Sequence, residues 1–165
     1  MGRYERLEGR LAGLKGAYLL FFELAEEFRG KIGILGEVFL RPGLYVYIGS
    51  GLGRGGVWSR VKRHLTSVKE RKYWHIDYLT SQTTYKPIAV VVIESSEPLE
   101  EEIVKILLEA KEFSIAYPRF GSTDKKSPSH LLVLNYHRGS IGELLTKTVI
   151  LLREKLGKPV FMLRI

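Results

Sequence analysis

The chain has 165 residues, 45% of them hydrophobic and 27% charged, which suits one domain with a real core. It has no cysteine, so disulfides and thiolate metal sites are excluded, and any metal must sit on carboxylate, imidazole or main-chain oxygen. The formal net charge of +8 suits a polyanionic partner, and no apolar run approaches the about 18 residues of a membrane span.

The first residues carry no apolar stretch of the signal-peptide kind, so a cytoplasmic protein with no membrane partner is expected. Residues 16–24 (GAYLLFFEL) are aromatic and apolar and predict a buried strand. A polar bend is expected over 26–31, then a second extended stretch over 32–40 whose glycines suggest bulges. Arg41-Pro42-Gly43 reads as a turn, and 44–49 (LYVYIG) as a central strand, continuous in apolar character. A glycine-rich loop over 50–56 leads into a helix over 57–69, with Val57, Val61, Leu65 and Val68 on one stripe. That loop lacks the lysine-serine ending of a nucleotide-binding loop.

Further on, 74–80 predicts a short helix and 88–93 (IAVVVI) a strand. Pro98 suits the first turn of the next helix, which is expected to bury Leu99, Ile103, Leu107 and Ala110. Residues 131–136 read as a strand, 142–156 as a helix, and 158–165 as a last strand. With no repeat, linker or low-complexity segment, a single α+β domain over 1–165 is expected: a small mixed or antiparallel central sheet flanked by helices.

Charge is sorted along the chain. Residues 54–72 hold Arg54, Arg60, Lys62, Arg63, Lys69, Arg71 and Lys72 against Glu70, whereas 94–112 hold seven glutamates against Lys105 and Lys111. A solvated charge explains any one of the basic residues. The cluster as a whole suits sequence-independent phosphate contacts by Arg54, Lys62, Arg63, Lys69, Arg71 and Lys72.

The residues that could carry chemistry lie far apart in sequence. Gly16-Ala17-Tyr18 opens one aromatic strand and Tyr47-Ile48-Gly49 closes another. Arg60 and His64 are four apart on a helix face, beside its apolar stripe. Glu100 opens an acidic run and flanks the stripe of Ile103 and Leu107. Each has a plain structural alternative: strand tyrosines packed in a core, a solvated arginine, a histidine bonded to a carbonyl, a glutamate favoured by the helix dipole.

This ordered set resembles the GIY-YIG nuclease superfamily. Gly16-Ala17-Tyr18 is similar to the first signature, with alanine for the usual isoleucine, and Tyr47-Ile48-Gly49 matches the second. A closer resemblance is to a branch of unknown function found beside, or fused to, endonuclease III in archaea and bacteria. It is carried by Arg60-Val61-Lys62-Arg63-His64-Leu65, Trp74-His75-Ile76-Asp77-Tyr78-Leu79, Phe120-Gly121-Ser122-Thr123-Asp124 and Ser129-His130-Leu131. The resembling core spans 14–136, leaving 137–165 as a C-terminal helix and strand. The branch usually has two cysteines after the late-loop aspartate. Lys125 and Ser127 stand there instead, so a thiol role for that loop is lost.

The resemblance implies catalytic roles for Tyr18, Tyr47, Arg60, His64 and Glu100. Glu100 would bind one divalent cation, magnesium or manganese, with Glu101 as rival if the register slips by one. Arg60 would clamp a phosphate oxygen, one tyrosine would deprotonate or orient water, and His64 would take a proton or touch the phosphate. Which tyrosine is the base stays open. Gly49, His75, Asp77, Ser129 and His130 are expected as supporting residues. His75 and Asp77 are two apart, so on a helix they diverge, and they are expected to tie this segment to the sheet or shape the cleft in preference to sharing a metal. The activity implied is a metal-dependent endonuclease acting on a structure or lesion in DNA, as in DNA repair. The alternatives are a non-catalytic nucleic-acid-binding module or repair-enzyme partner, and an RNA-directed nuclease. A homo-oligomer through the C-terminal segment is a further option.

Overall fold

The computed structural model describes residue 2 and residues 4–124, 126–135 and 139–165. In chain order the described strands are β1 (Gly16–Leu24), β2 (Phe28–Lys31), β3 (Glu37–Leu40), β4 (Gly43–Ser50), β5 (Tyr85–Glu94), β6 (Phe113–Ile115), β7 (Leu131–Leu134) and β8 (Val160–Arg164). The helices are α1 (Glu5–Leu11), α2 (Gly56–Leu65), α3 (His75–Thr80), α4 (Glu100–Glu109) and α5 (Ile141–Leu156).

Six strands form one sheet in the order β6-β7-β4-β1-β5-β8, and every neighbouring pair is antiparallel. The fold is therefore α+β, with an antiparallel sheet between helices. Both faces of the sheet are covered. Tyr18, Leu20 and Phe22 of β1 pack with Leu11 of α1, Val57 and Val61 of α2, and Ile76 and Leu79 of α3. The alternate residues Leu19 and Phe21 pack with Ile103 and Leu107 of α4 and Leu145 and Leu152 of α5. Side chains alternate between faces along a strand, so two buried faces demand an unbroken apolar run. That is why β1 has the burial of a core strand along nearly its whole length. Fully burying each large side chain stabilises the fold by roughly 1.5–3 kcal/mol.

Several expectations need correction. The polar bend expected over 26–31 contains strand β2, and the single stretch expected over 32–40 is broken. A 3-10 turn at Gly33–Leu35 folds β3 back on β2 as a separate two-stranded hairpin. Positive φ at Gly33 (45°) and Gly36 (71°) makes this reversal, which side-chain-bearing residues resist. Helix α2 stops at Leu65, not Lys69. Thr66 is extended there, its hydroxyl donates to the Lys62 carbonyl, and Val68 is 84% exposed instead of buried.

Helix α1 and strand β6 were not foreseen, and β5 begins at Tyr85. Pro98 lies before α4, whose N-cap is Leu99, and Ala110 caps its C-terminus half-buried. Strand β7 ends at Leu134, and Tyr136 lies outside the described residues. The C-terminal segment joins the core: Leu144, Leu145, Val149 and Leu152 of α5 are buried, and β8 pairs with β5. Among the described residues no helix is long and apolar enough to cross a membrane.

Candidate active site

The start of β1 and the end of β4 meet at one end of the sheet. Tyr18 pairs with Gly49 and Leu20 with Tyr47, so the two tyrosines are diagonal neighbours on one face. Their rings are 6.5 Å apart. Gly49 makes the arrangement feasible: a Cβ there would stand 2.3 Å from the Tyr18 hydroxyl.

Helix α2 crosses this face with Val57 and Val61 buried against the sheet. The same turn-spacing presents His64 to the phenols. Its Nε2 is 2.6 Å from the Tyr18 hydroxyl, and its ring stands edge-on to Tyr47 at 5.8 Å. Either tautomer satisfies the contact: the phenol donates to a bare Nε2, or a protonated Nε2 donates to the phenol. Burial pushes the His64 pKa down to about 3, so the ring is neutral. Its Nδ1 is buried with no hydrogen-bond partner among the described residues. Burial also raises both phenols above their usual value; Tyr47 adds to this at Tyr18, and Arg60 opposes it at both. In the bare site the two phenols are therefore protonated.

Arg60 lies one turn before His64, half-buried, with its guanidinium 4.1 Å from the centre of the Trp74 ring. Glu100 opens α4 and is half-buried, its Oε2 accepting the Leu99 N–H at 2.9 Å. Tyr18, Tyr47, Gly49, Arg60, His64 and Glu100 all line one cleft of about 210 Å³. The Glu100 charge raises both phenols further, in keeping with that proximity. Glu101 does not line this cleft; it is exposed, and its carboxylate accepts the Lys126 N–H at 3.2 Å.

The supporting residues divide. His130 lines the cleft, and its backbone ties Phe120 to Ile48. His75 stays outside; its Nδ1 accepts the Gly121 N–H at 2.9 Å and so fastens the late loop to α3. Ser129 is fully buried, its hydroxyl donating to the Leu131 carbonyl and accepting the Leu131 N–H. Asp77 is fully buried and accepts from the Arg63 fork and from the Tyr73 and Trp74 N–H groups. Burial alone would raise its pKa, but Arg63 and the two N–H groups outweigh it and hold the carboxyl below its usual value. Asp124 and Trp74 line the cleft without having been singled out as site residues. Their signals were the late-loop aspartate and the aromatic step before α3. Ser127 is buried, and Lys125 lies outside the described residues.

A trough of about 830 Å³ adjoins the cleft. Arg54, Lys62, Lys69 and Arg71 line it, and Arg60 and Trp74 line both cavities. Arg63 also faces the trough, but its guanidinium is engaged by Asp77 and the Arg71 carbonyl. Lys72 is not part of the lining; its Nζ lies 5.4 Å from the centre of the Tyr78 ring.

Among the described residues no group of three His, Asp or Glu side chains could cage a cation. The donors that do line the cleft are hard: the Glu100 and Asp124 carboxylates beside two phenols. One or two carboxylates, with water and a substrate phosphate completing the shell, suit magnesium or manganese. The residues present fit such an ion.

The fold and this cleft define an α+β domain that gathers phenols, an imidazole, a guanidinium and a carboxylate at one end of an antiparallel sheet, next to a cationic trough. The chain belongs to the family described as domain of unknown function DUF123, which matches residues 17–150. The match runs into α5. Comparisons with curated proteins and with solved structures gave no match.

Proposed function

We propose that this protein is a divalent-metal-dependent endonuclease of the GIY-YIG kind, hydrolysing DNA phosphodiester bonds at a structure or lesion. The observation that carries this reading is the convergence of Tyr18, Tyr47, Arg60, His64 and Glu100 on one cleft continuous with a basic trough. These are the positions that match the superfamily's signatures.

Phosphodiester hydrolysis needs an activated water, a neutralised phosphate and a stabilised leaving oxygen. The trough's cations hold the strand, and Arg60 offers its planar fork to a phosphate oxygen. His64, held neutral by burial, fixes the Tyr18 hydroxyl through its Nε2; with its pKa lowered by the cation and Arg60, Tyr18 would ionise and the phenolate would take a proton from water. Tyr47, diagonal to Tyr18, orients the water. Glu100 would hold the cation, with Asp124 as second carboxylate; when bound, the ion supplies positive charge that lowers the phenols' pKa and offsets phosphate charge. Arg60 already acts in that direction on both phenols.

One observation favours a second reading, a non-catalytic nucleic-acid-binding module or repair-protein partner. Without added positive charge both phenols are held protonated, so the bare site has no ready phenolate base. A single experiment separates the readings. Single-stranded, duplex, flapped and lesion-bearing DNA, with matched RNA, are incubated with magnesium, manganese or chelator. Glu100→Gln and Arg60→Ala are run in parallel. Metal-dependent cutting that drops by about 100-fold or more in each variant is the expected result. Unchanged cutting in both variants overturns the site, and binding without cutting in any metal selects the second reading. Faster cutting of the RNA set would replace DNA as substrate.

A further inference from the structure

We infer that Tyr73 and Trp74 form a stacking platform for an unpaired nucleotide at the mouth of the cleft, so that the site takes a single or locally opened strand ahead of intact duplex. This rests on the nucleic-acid reading of the same cleft and trough.

The two rings are not core residues. Neither belongs to either buried cluster, and they stay 66% and 36% exposed. Isolated exposed aromatics need no explanation, but these two are adjacent, 6.2 Å apart, and set among cations. Arg60 lies over Trp74 at 4.1 Å, and Arg63 lies 5.1 Å from each ring. Arg54, Lys62, Lys69 and Arg71 line the same trough.

The backbone beneath the rings is held in place by a buried charge. The Asp77 carboxylate accepts the Tyr73 N–H at 2.8 Å and the Trp74 N–H at 3.1 Å, while Arg63 engages both its oxygens. A fully buried carboxylate thus sets the height of two solvent-facing aromatics. Proteins that bind single strands combine a basic groove with such rings, because a base face is open to stacking only when unpaired. Trp74 lines both cavities, so a base stacked on it belongs to a nucleotide whose phosphate is within reach of Arg60.

The test uses the full chain carrying Glu100→Gln, which prevents turnover, and fluorescence anisotropy without divalent ions. The probes are a single-stranded DNA of about 16 nucleotides, its blunt duplex, and the same single strand as RNA. The expected result is tighter binding of the single strands. Adding Tyr73→Ala weakens them about tenfold and the duplex by less than about twofold, and Tyr73→Phe restores the affinity. The salt slope stays unchanged, because no phosphate contact is lost. Trp74→Leu is the second variant, with the same expectation. Parallel loss on DNA and RNA supports the platform, since both present the same base face, and the affinity ratio of the two identifies the preferred strand. Equal loss on duplex and single strand, no loss, or no binding to any probe overturns it. Wild-type protein that cuts without strand preference leaves the nuclease standing and removes the platform. Strand preference that depends on Tyr73, with no cutting in any metal, does the reverse.

Discussion

Tyr18 and Gly49 face each other across the β1–β4 pair, and the phenol occupies the space that any side chain at 49 would need. Gly49→Ala must therefore displace Tyr18 from His64. The expected cost is about 1–3 kcal/mol of stability, as for overpacking in a dense core, together with loss of the proposed cleavage. Urea unfolding and a cleavage assay check both. A variant with native stability and native activity would contradict this account of the glycine.

His64 ties stability to pH. Its ring has a folded pKa of about 3, against about 6.5 in the unfolded chain. Between those values the unfolded chain carries a proton that the folded chain lacks, so stability rises with pH across the window. On acidification from 6.5 towards 3 the loss grows to something on the order of 4 kcal/mol. His64→Phe should flatten that part of the curve. Chemical unfolding from pH 7 to 3.5 measures it, and an equally steep curve in the variant would count against a buried neutral imidazole. Asp77 acts in a lower window: its folded pKa is depressed, so its contribution is present above the ordinary carboxylate range and is lost as pH falls through the folded value.

Asp77 also makes a prediction of its own. It accepts four hydrogen bonds, two of them from a guanidinium whose side chain is 26% exposed. Asp77→Ala strands those donors and should destabilise the fold by about 3 kcal/mol, the low end for breaking a buried pair because Arg63 is partly solvated. Thermal unfolding reads this directly; a shift of less than about 2 °C would show that the carboxylate is dispensable.

The basic residues should separate by role. Arg54→Ala and Lys62→Ala remove charges that line the trough and make no side-chain hydrogen bond or ion pair among the described residues, so under the proposed function each should lower the salt slope of DNA affinity by about 0.9 and leave stability unchanged. Arg63→Ala should instead lower stability, because its fork closes on Asp77. Anisotropy titrations from low to moderate salt, paired with melting curves, distinguish the two. Equal destabilisation by all three would dissolve the distinction.

The parts of the fold legible in the sequence are those where burial alone dictates residue type. β1, β4, β5 and α4 carry long apolar runs or clear helical spacing, and Tyr18 near the start of β1 and Tyr47 towards the end of β4 could be placed from them. Elements set by short-range geometry were not legible. ERLEGRL offers α1 only Leu7 and Leu11 as buried positions and a glycine between them, and β6 has three residues. Val68 kept the helical period of α2 but lies beyond the turn at Thr66. The choice between Glu100 and Glu101 depended on a one-residue register that three consecutive glutamates cannot supply; the helix start after Leu99 sets it. The sequence places Trp74 as the first residue of a short helix and gives Tyr73 no role; in the structure Trp74 is the N-cap of α3. Their exposure follows from Asp77, four and three residues on, which no periodicity reveals.

The position of Arg60 over the Trp74 indole has an optical consequence. A cation above an indole perturbs its emission, and an anion that draws the guanidinium away removes that perturbation. The chain's other tryptophan, Trp58, is bonded through its Nε1 to Glu8, outside both cavities' shared rim. Occupancy of the cleft should thus be readable in the unlabelled protein as a change in tryptophan fluorescence that Trp74→Phe abolishes and Trp58→Phe does not.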